Sequence, residues 1–439
     1  MTDLLAARSQ MALSLGFHMI FATLGIGMPL FMVIAEGLWL RTGDATWLKL
    51  AKAWSKGTAI LFAVGAVSGT ALSFELGLLW PGFMEVAGPI IGLPFSLEGF
   101  AFFFEAIFLG VYLYGWEHVK PVVHWLAGLG VFVSGLMSGI FVVCANAWMN
   151  TPTGFELGPD GSVAIVRPLE AMLNPSAFGQ TLHMSVAAIL ATAFAVLGVH
   201  AWLLRRTPGE PFHRRAILLA LVVGGLSTVA QPLTGHFVGE AVAHNQPVKL
   251  AALEGLWESH PEGAPFSIGG WSDEEAGEQH YALEIPYLLS VLAFSDPFHP
   301  VEGLREVEPD LRPPVNVTHL AYQLMLASMG VMALTMGLAV VLAVRRRGLP
   351  DHPAFLAWCM FAGPWGILGI EAGWTATEVG RQPWVIQGVM RTSDAVTPMP
   401  GLAAPFALFA LLYLVLGVVC AALLFRQFDV HSPEHAHGP

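Results

Sequence analysis

Two carboxylates, Glu371 and Glu378, stand seven residues apart in the stretch 369–384, and Arg381, Gln382, Pro383 and Trp384 follow directly. Seven residues are two helical turns, so a helical segment turns both acids to one side. A lipid-facing carboxylate is costly, so in a membrane that side belongs to the protein interior or to a site. Glu98 and Glu105 repeat the spacing among Phe100, Phe102, Phe103 and Phe104. Two acids on one face amid aromatics suit a buried proton route; a structural hydrogen bond and a cation site are the alternatives. His18, in an apolar stretch, suits a packing residue, a proton carrier or an iron ligand. His183 and Met325 sit in two further apolar stretches. A lone Met ordinarily packs a core, yet His with Met is also a low-spin haem ligation that raises redox potential and leaves no open position for oxygen.

Composition says what must position these groups. Of the 439 residues, 55% are hydrophobic and 12% charged, and the mean hydropathy is +0.63. A soluble domain carries about 25% charged residues. Half of that, with apolar runs near or above the ~20 residues needed to cross a bilayer, describes an all-α, polytopic membrane helical bundle. The three cysteines, Cys144, Cys359 and Cys420, lie singly and offer neither a disulfide framework nor thiolate ligands. The net charge of -12 comes largely from one extramembrane stretch, and no basic patch supplies a footprint for nucleic acid. Arg8 alone precedes the first long apolar segment, which reads as a retained helix rather than a cleaved leader.

Nine segments read as transmembrane helices, near 11–38, 54–80, 94–117, 121–148, 177–204, 216–239, 316–344, 354–376 and 401–425. The chain then divides into six helices in 1–239, a long loop in 240–315 and three helices in 316–439. With the N-terminus outside and the C-terminus cytoplasmic, the inner connections hold 13 of the 20 basic residues, including Arg205, Arg206, Arg214, Arg215 and Arg345 to Arg347. The loop then lies on the outer side with 14 acidic residues from Glu240 to Asp310. So long a connection is either a surface cap or a substrate-contacting loop. Lys249 and Glu254, punctuating a short apolar helix, favour the second. His18, Glu98, His183 and Met325 are all expected one to two turns inside the outer ends of their spans, level with Glu371 and Glu378. A cofactor layer needs such convergence.

In this order, the residues closely resemble subunit I of the cytochrome bd-type quinol oxidase family. The likeness runs over nearly the whole chain. Its most specific piece is Gly373-Trp374, then Glu378, then Gly380-Arg381-Gln382-Pro383-Trp384. His18, Glu98-Gly99, Glu105, Asn174-Pro175 ahead of His183, and the segment from Lys249 to Glu254 accompany it.

The resemblance implies a quinol:oxygen oxidoreductase without copper, in a bacterial or archaeal cell inner membrane. Quinol, ubiquinol or menaquinol, is oxidised near the outer face; electrons pass through a low-spin haem b to two high-spin haems that reduce oxygen to water. One of these is haem b, and the other is haem d or a further b-type haem in its place. By resemblance, His183 and Met325 are the low-spin axial ligands, and His18 and Glu378 serve the two high-spin haems, with the assignment between them open. Lys249 and Glu254 match positions of quinol binding or oxidation. Glu98 and Glu105 match acids that deliver protons near the high-spin pair. Arg381, Gln382 and Trp384 shape the surroundings of the haem propionates and the outer loop. Such an enzyme makes a proton gradient without pumping, works with a second integral-membrane subunit, and has room for a small single-span accessory subunit.

One departure is Gln323, where family members often place an Arg two residues before the low-spin Met. Loss of a positive charge beside a haem lowers its potential unless another base substitutes. The rival readings are a cytochrome b-like electron-transfer subunit without oxygen chemistry and an ion-coupled secondary transporter. Two further single axial ligands argue against the first. The second would bring an internal repeat, and the nine spans have none.

Overall fold

The computed structural model describes residues 1–159 and 163–429. Its helices are α1 (Asp3–Thr42), α2 (Ala45–Leu79), α3 (Pro81–Tyr114), α4 (Pro121–Asn150), α5 (Pro168–Met172), α6 (Ala177–Arg206), α7 (Pro211–Asn245), α8 (Pro247–Glu254), α9 (Leu288–Phe294), α10 (Val315–Arg346), α11 (Pro353–Ala362), α12 (Trp365–Val379), α13 (Thr392–Ala395) and α14 (Ala403–Asp429). Among the described residues, nine helical segments are long and apolar enough to cross a membrane, with α11 and α12 forming one of them.

Local chemistry sets the turns between these rods. Thr2 caps α1 by accepting from the Leu5 amide, and Gly43 ends the helix at φ 71°, a left-handed conformation that suits glycine. Asp44 then caps α2, so two residues reverse the chain. At the same end, Arg215 of α7 pairs with Asp44 at 2.5 Å and Arg214 pairs with Asp351. Pro81 occupies the first turn of α3, where its missing N–H costs nothing.

The third span begins thirteen residues earlier than the expected 94. The stretch 81–93 reads as a connection because Pro81, Gly82, Gly88, Pro89 and Gly92 weaken its helical pattern. Tertiary packing overrides that. Ala87, Ile90 and Ile91 are buried in a core with Ala6, Ala7, Leu79 and Trp148. The eighth span is interrupted at Gly363-Pro364, where a Cβ on Gly198 would stand 2.9 Å from the Gly363 Cα. Two glycines thus let α6 and the α11–α12 break approach backbone to backbone.

The long loop is a folded layer. Leu250, Ala252, Leu256, Trp257, Leu289 and Leu304 form a core with Val242 and Val315 at the helix ends. Within it, β3 (Phe266–Ile268) pairs with β6 (Leu283–Ile285), and β4 (Trp271–Asp273) with β5 (Glu278–His280). The two ladders share one register, making a single hairpin interrupted at Gly269-Gly270, both at positive φ. Two smaller hairpins, β1–β2 (Phe155–Leu157 with Val163–Val166) and β7–β8 (Trp384–Ile386 with Met390–Arg391), follow α4 and α12.

Candidate functional site

The two candidate iron-binding histidines are held by the same device on different helix pairs. His18 of α1 places Nδ1 3.0 Å from the Ser68 hydroxyl of α2, and that hydroxyl donates its own proton to the Val64 carbonyl at 3.0 Å. His183 of α6 places Nδ1 3.2 Å from the Thr234 hydroxyl of α7, which donates to the Gln231 carbonyl at 3.0 Å. With the hydroxyl proton on the backbone carbonyl, the oxygen is placed to accept from Nδ1–H, the tautomer in which Nε2 keeps the lone pair. A glycine follows each hydroxyl residue. A Cβ on Gly69 would meet His18 Cε1 at 3.0 Å, and one on Gly235 would meet His183 Cε1 at 3.3 Å.

Around His183, Gln231 Nε2 lies 3.1 Å from both ring nitrogens. Being equidistant, the amide sits off the Nε2 lone-pair axis. Met325 of α10 lies against α12, where a Cβ on Gly373 would be 2.9 Å from its Sδ. Glu371 turns toward α1, with Oε2 3.2 Å from where a Cβ on Gly16 would sit. The paired acids of α12 therefore have separate neighbours, Glu371 facing α1 and Glu378 facing α4.

Glu378 anchors a polar network that crosses four helices. Its Oε1 accepts from Asn146 of α4, and its Oε2 accepts from Arg381 at 2.5 Å. Asn150, one turn past Asn146, donates to the Asn146 carbonyl at 3.0 Å. Lys249 donates to Asn150 Oδ1 at 2.6 Å and to Gln246 Oε1 at 3.0 Å. Lys249 is 4% exposed. Burial, reinforced by the Arg381 charge and opposed by Glu378, pushes its pKa well down. Gln382 donates to the Glu378 carbonyl at 3.3 Å and accepts from Thr392, which ties the end of α12 to α13. Trp384 packs under the Arg391 guanidinium, 5.6 Å from the ring centre.

Glu254 ends α8 in different company from Lys249. Its Oε2 accepts from the Ser267 amide at 3.0 Å, and the residue is 1% exposed. Burial raises its pKa to about 7, against the opposing Ser267 N–H and Tyr322 hydroxyl. The structure thus joins Lys249 to the Glu378 network and sets Glu254 beneath the hairpin. Gln323 lies beside Glu254's partner, donating to the Ser267 carbonyl at 2.8 Å and accepting from the Gly269 amide at 2.9 Å.

The two acids of α3 lie in the second half of that helix. Because the helix starts at Pro81, Glu98 stands about 25 Å of helix from its N-terminus at ~1.5 Å rise per residue. Glu105, 7% exposed, meets α4 at Gly135, 3.1 Å from where a Cβ would be. Along the helices the polar groups come in order: Glu378 with Asn146, then Glu371 with Gly16 and His18 with Ser68, then Glu105 with Gly135. Asn146, Asn150, Gln246, Ser68 and Thr234 were not found by sequence reasoning. The signal available was a Ser/Thr-Gly dipeptide within a span, at Ser68-Gly69 and Thr234-Gly235, and the i, i+4 asparagines ending the fourth span.

Haems, which the sequence resemblance implies, are tested by buried polar atoms. Nε and Nη1 of Arg381, which is 2% exposed, have no partner among the described residues, and neither does Trp374 Nε1. Buried donors left unpaired are destabilising, and an anionic propionate would satisfy the guanidinium. With both histidines offering Nε2, the residues fit the group.

A family profile described as cytochrome bd terminal oxidase subunit I matches residues 6–432. A protein of Bacillus subtilis (strain 168), provisionally named a cytochrome bd menaquinol oxidase subunit I, is 37% identical over 442 residues, covering 99% of this chain and 98% of that one. The cytochrome bd ubiquinol oxidase subunit 1 of the same strain is 30% identical over 455 residues, covering 100% of this chain and 96% of that one. The structure of bd oxidase from Geobacillus thermodenitrificans has a TM-score of 0.92 at 36% identity, over 98% of this chain and 99% of that one. With a profile match along nearly its whole length and full-length relatives of one kind, the chain belongs to the cytochrome bd terminal oxidase subunit I family.

Proposed function

We propose that this chain is the haem-bearing subunit of a quinol:oxygen oxidoreductase. The observation that carries the reading is the twice-used pairing of a histidine Nδ1 with a hydroxyl on the neighbouring helix, since a hydrogen bond behind the ring sets the tautomer of a ligating histidine and leaves Nε2 for iron. His183 and Met325 hold the low-spin haem b. His18 and Glu378 would hold two high-spin haems, with Arg381 supplying the positive charge for a propionate and Trp384 and Gln382 bracing the chain beside it. The haems, when bound, carry electrons from quinol to oxygen and reduce it to water.

The protein's own part is placement and protons. Glu254, poised near neutrality, takes a quinol proton at the loop, in the segment 240–315. Lys249, its pKa pushed down by burial, offers its Nζ to a quinone oxygen and stays linked to Glu378 through Asn150 and Asn146. Glu105 and Glu98 carry protons from the inner side toward the high-spin pair, so charge separates across the membrane without a pump. The outer location of the loop rests on the basic residues gathered at the other helix ends. The apolar face of α3, with Phe100, Phe103 and Phe104 exposed, suits cover by a second integral-membrane subunit.

The test is the pigment of the purified complex. Reduced-minus-oxidised spectra and haem extraction are expected to give three haems, one of them low-spin, and Met325→Ala is expected to abolish or convert the low-spin signal alone. A folded but colourless complex, or an unchanged low-spin spectrum in Met325→Ala, would sink the assignment.

A further inference from the structure

Three side chains on one face of α10, Asn316, His319 and Gln323, grip the backbone of the hairpin's first strand, which runs antiparallel to the helix. Asn316 accepts from the Ser272 amide at 2.9 Å and donates to its carbonyl at 2.5 Å. His319 Nε2 lies 2.8 Å from the Gly269 carbonyl, and its Nδ1 lies 2.7 Å from the Leu253 carbonyl, one residue before Glu254. Gln323 bonds the Ser267 carbonyl and the Gly269 amide, and Ser267 in turn donates to Glu254. Glu254, Ser267 and His319 are all buried. Gly269 at φ 68° and Gly270 at φ 110° break the strand; Gly269 gives its N–H to Gln323, and its C=O faces His319 Nε2, which the Gln279 amide nitrogen also approaches at 3.1 Å.

We propose that His319 and Gln323 are positioning residues for Glu254, holding it from two sides: His319 through the carbonyl of Leu253, and Gln323 through Ser267, whose amide bonds the carboxylate. This rests on the reading of the loop as the quinol site. It also explains Gln323 in chemical terms. A neutral amide supplies one acceptor and a donor, which is what the Gly269 N–H and Ser267 C=O require. Arginine has donors only and would leave the Gly269 amide unpaired.

The experiment compares quinol oxidation with oxygen uptake driven by a one-electron donor dye, in purified two-subunit complex whose haem spectrum verifies assembly. Gln323→Leu and His319→Leu are each expected to raise the quinol KM about three- to tenfold, the range for loss of one neutral hydrogen bond to a positioned group. Dye-driven uptake should stay at the wild-type rate. His319→Gln, which keeps a donor, should recover most of the loss. Unchanged quinol KM in both leucine variants would overturn the proposal, and so would an equal fall in dye-driven uptake, which would place the effect on the haem. If Gln323→Leu does not assemble, the His319 pair decides alone. Glu254→Gln in parallel separates the two readings: wild-type quinol kinetics there would remove the quinol site itself, whereas impairment there beside unaffected His319 and Gln323 variants would remove only the positioning role.

Discussion

At the scale of single residues, the pairing of each histidine with a hydroxyl makes a specific claim. Thr234→Val keeps the shape of the side chain and removes the acceptor for His183 Nδ1–H. Loss of such a partner typically weakens metal affinity by about 10- to 100-fold. The low-spin haem of that variant is therefore expected to be lost to a competing apo-haem acceptor far faster than from wild type, measured by the decay of its absorption band. Glu254 carries a pH signature. Its pKa rises from the carboxylate reference of 4.5 to about 7 in the folded chain. The folded state therefore holds more protons than the unfolded state between these values, and its stability falls as pH rises through that window, by about 3 kcal/mol in total. A proton acceptor works only when ionised, so quinol kcat/KM should climb from pH 6 to 8, and Glu254→Gln should remove that limb. A rising limb that survives the substitution would exclude Glu254 as the titrating group.

At the scale of elements, the site is set where helices pass each other over glycine. The α10–α12 crossing brings Met325 against Gly373, and a Cβ there would stand 2.9 Å from the sulfur. Gly373→Ala should therefore displace the thioether without altering any ligand atom. The expected result is a mixed-spin spectrum at the His183 haem and a loss of about 1 to 3 kcal/mol of stability from overpacking, read by spectroscopy and thermal denaturation. These crossings also mark what the sequence could and could not tell. The nine spans were legible because apolar runs near bilayer length have few other uses, and Glu378, Arg381 and Lys249 stood out as charges in or beside them. The true start of α3 was not, since Pro89 and Pro94 weaken the local pattern and only packing against α1 and α4 restores the helix. Nor could spacing pair Lys249 with Asn150, because the two are 99 residues apart and meet only through tertiary structure. The loop's hairpin was hidden for a similar reason: its strands are three residues each and alternate poorly.

At the scale of the molecule, the proposed function makes a claim about charge movement. Quinol releases as many protons as electrons, and oxygen reduction consumes as many. With release at the Glu254 end and uptake along Glu105, complexes reconstituted in vesicles should move about one charge per electron across the membrane. The ratio would be read from potential-sensitive dye and oxygen uptake together, with collapse by an uncoupler. A ratio near zero would mean that both proton events open to one side. A ratio near two would require a pump for which the described residues supply no evident second route.

The network from Lys249 to Arg381 also has a meaning in time. Asn146 and Glu378 are separated by 232 residues, and during synthesis at about 5 to 20 residues per second the asparagine waits on the order of ten to fifty seconds for its acid. Over that interval the amides at the end of α4 have only water, headgroups or provisional protein partners to bond. A nascent chain stopped before Glu378 lacks the residue that closes the circuit. The network therefore closes only once the helix that carries Glu378, the next to last of the nine apolar spans among the described residues, has been made.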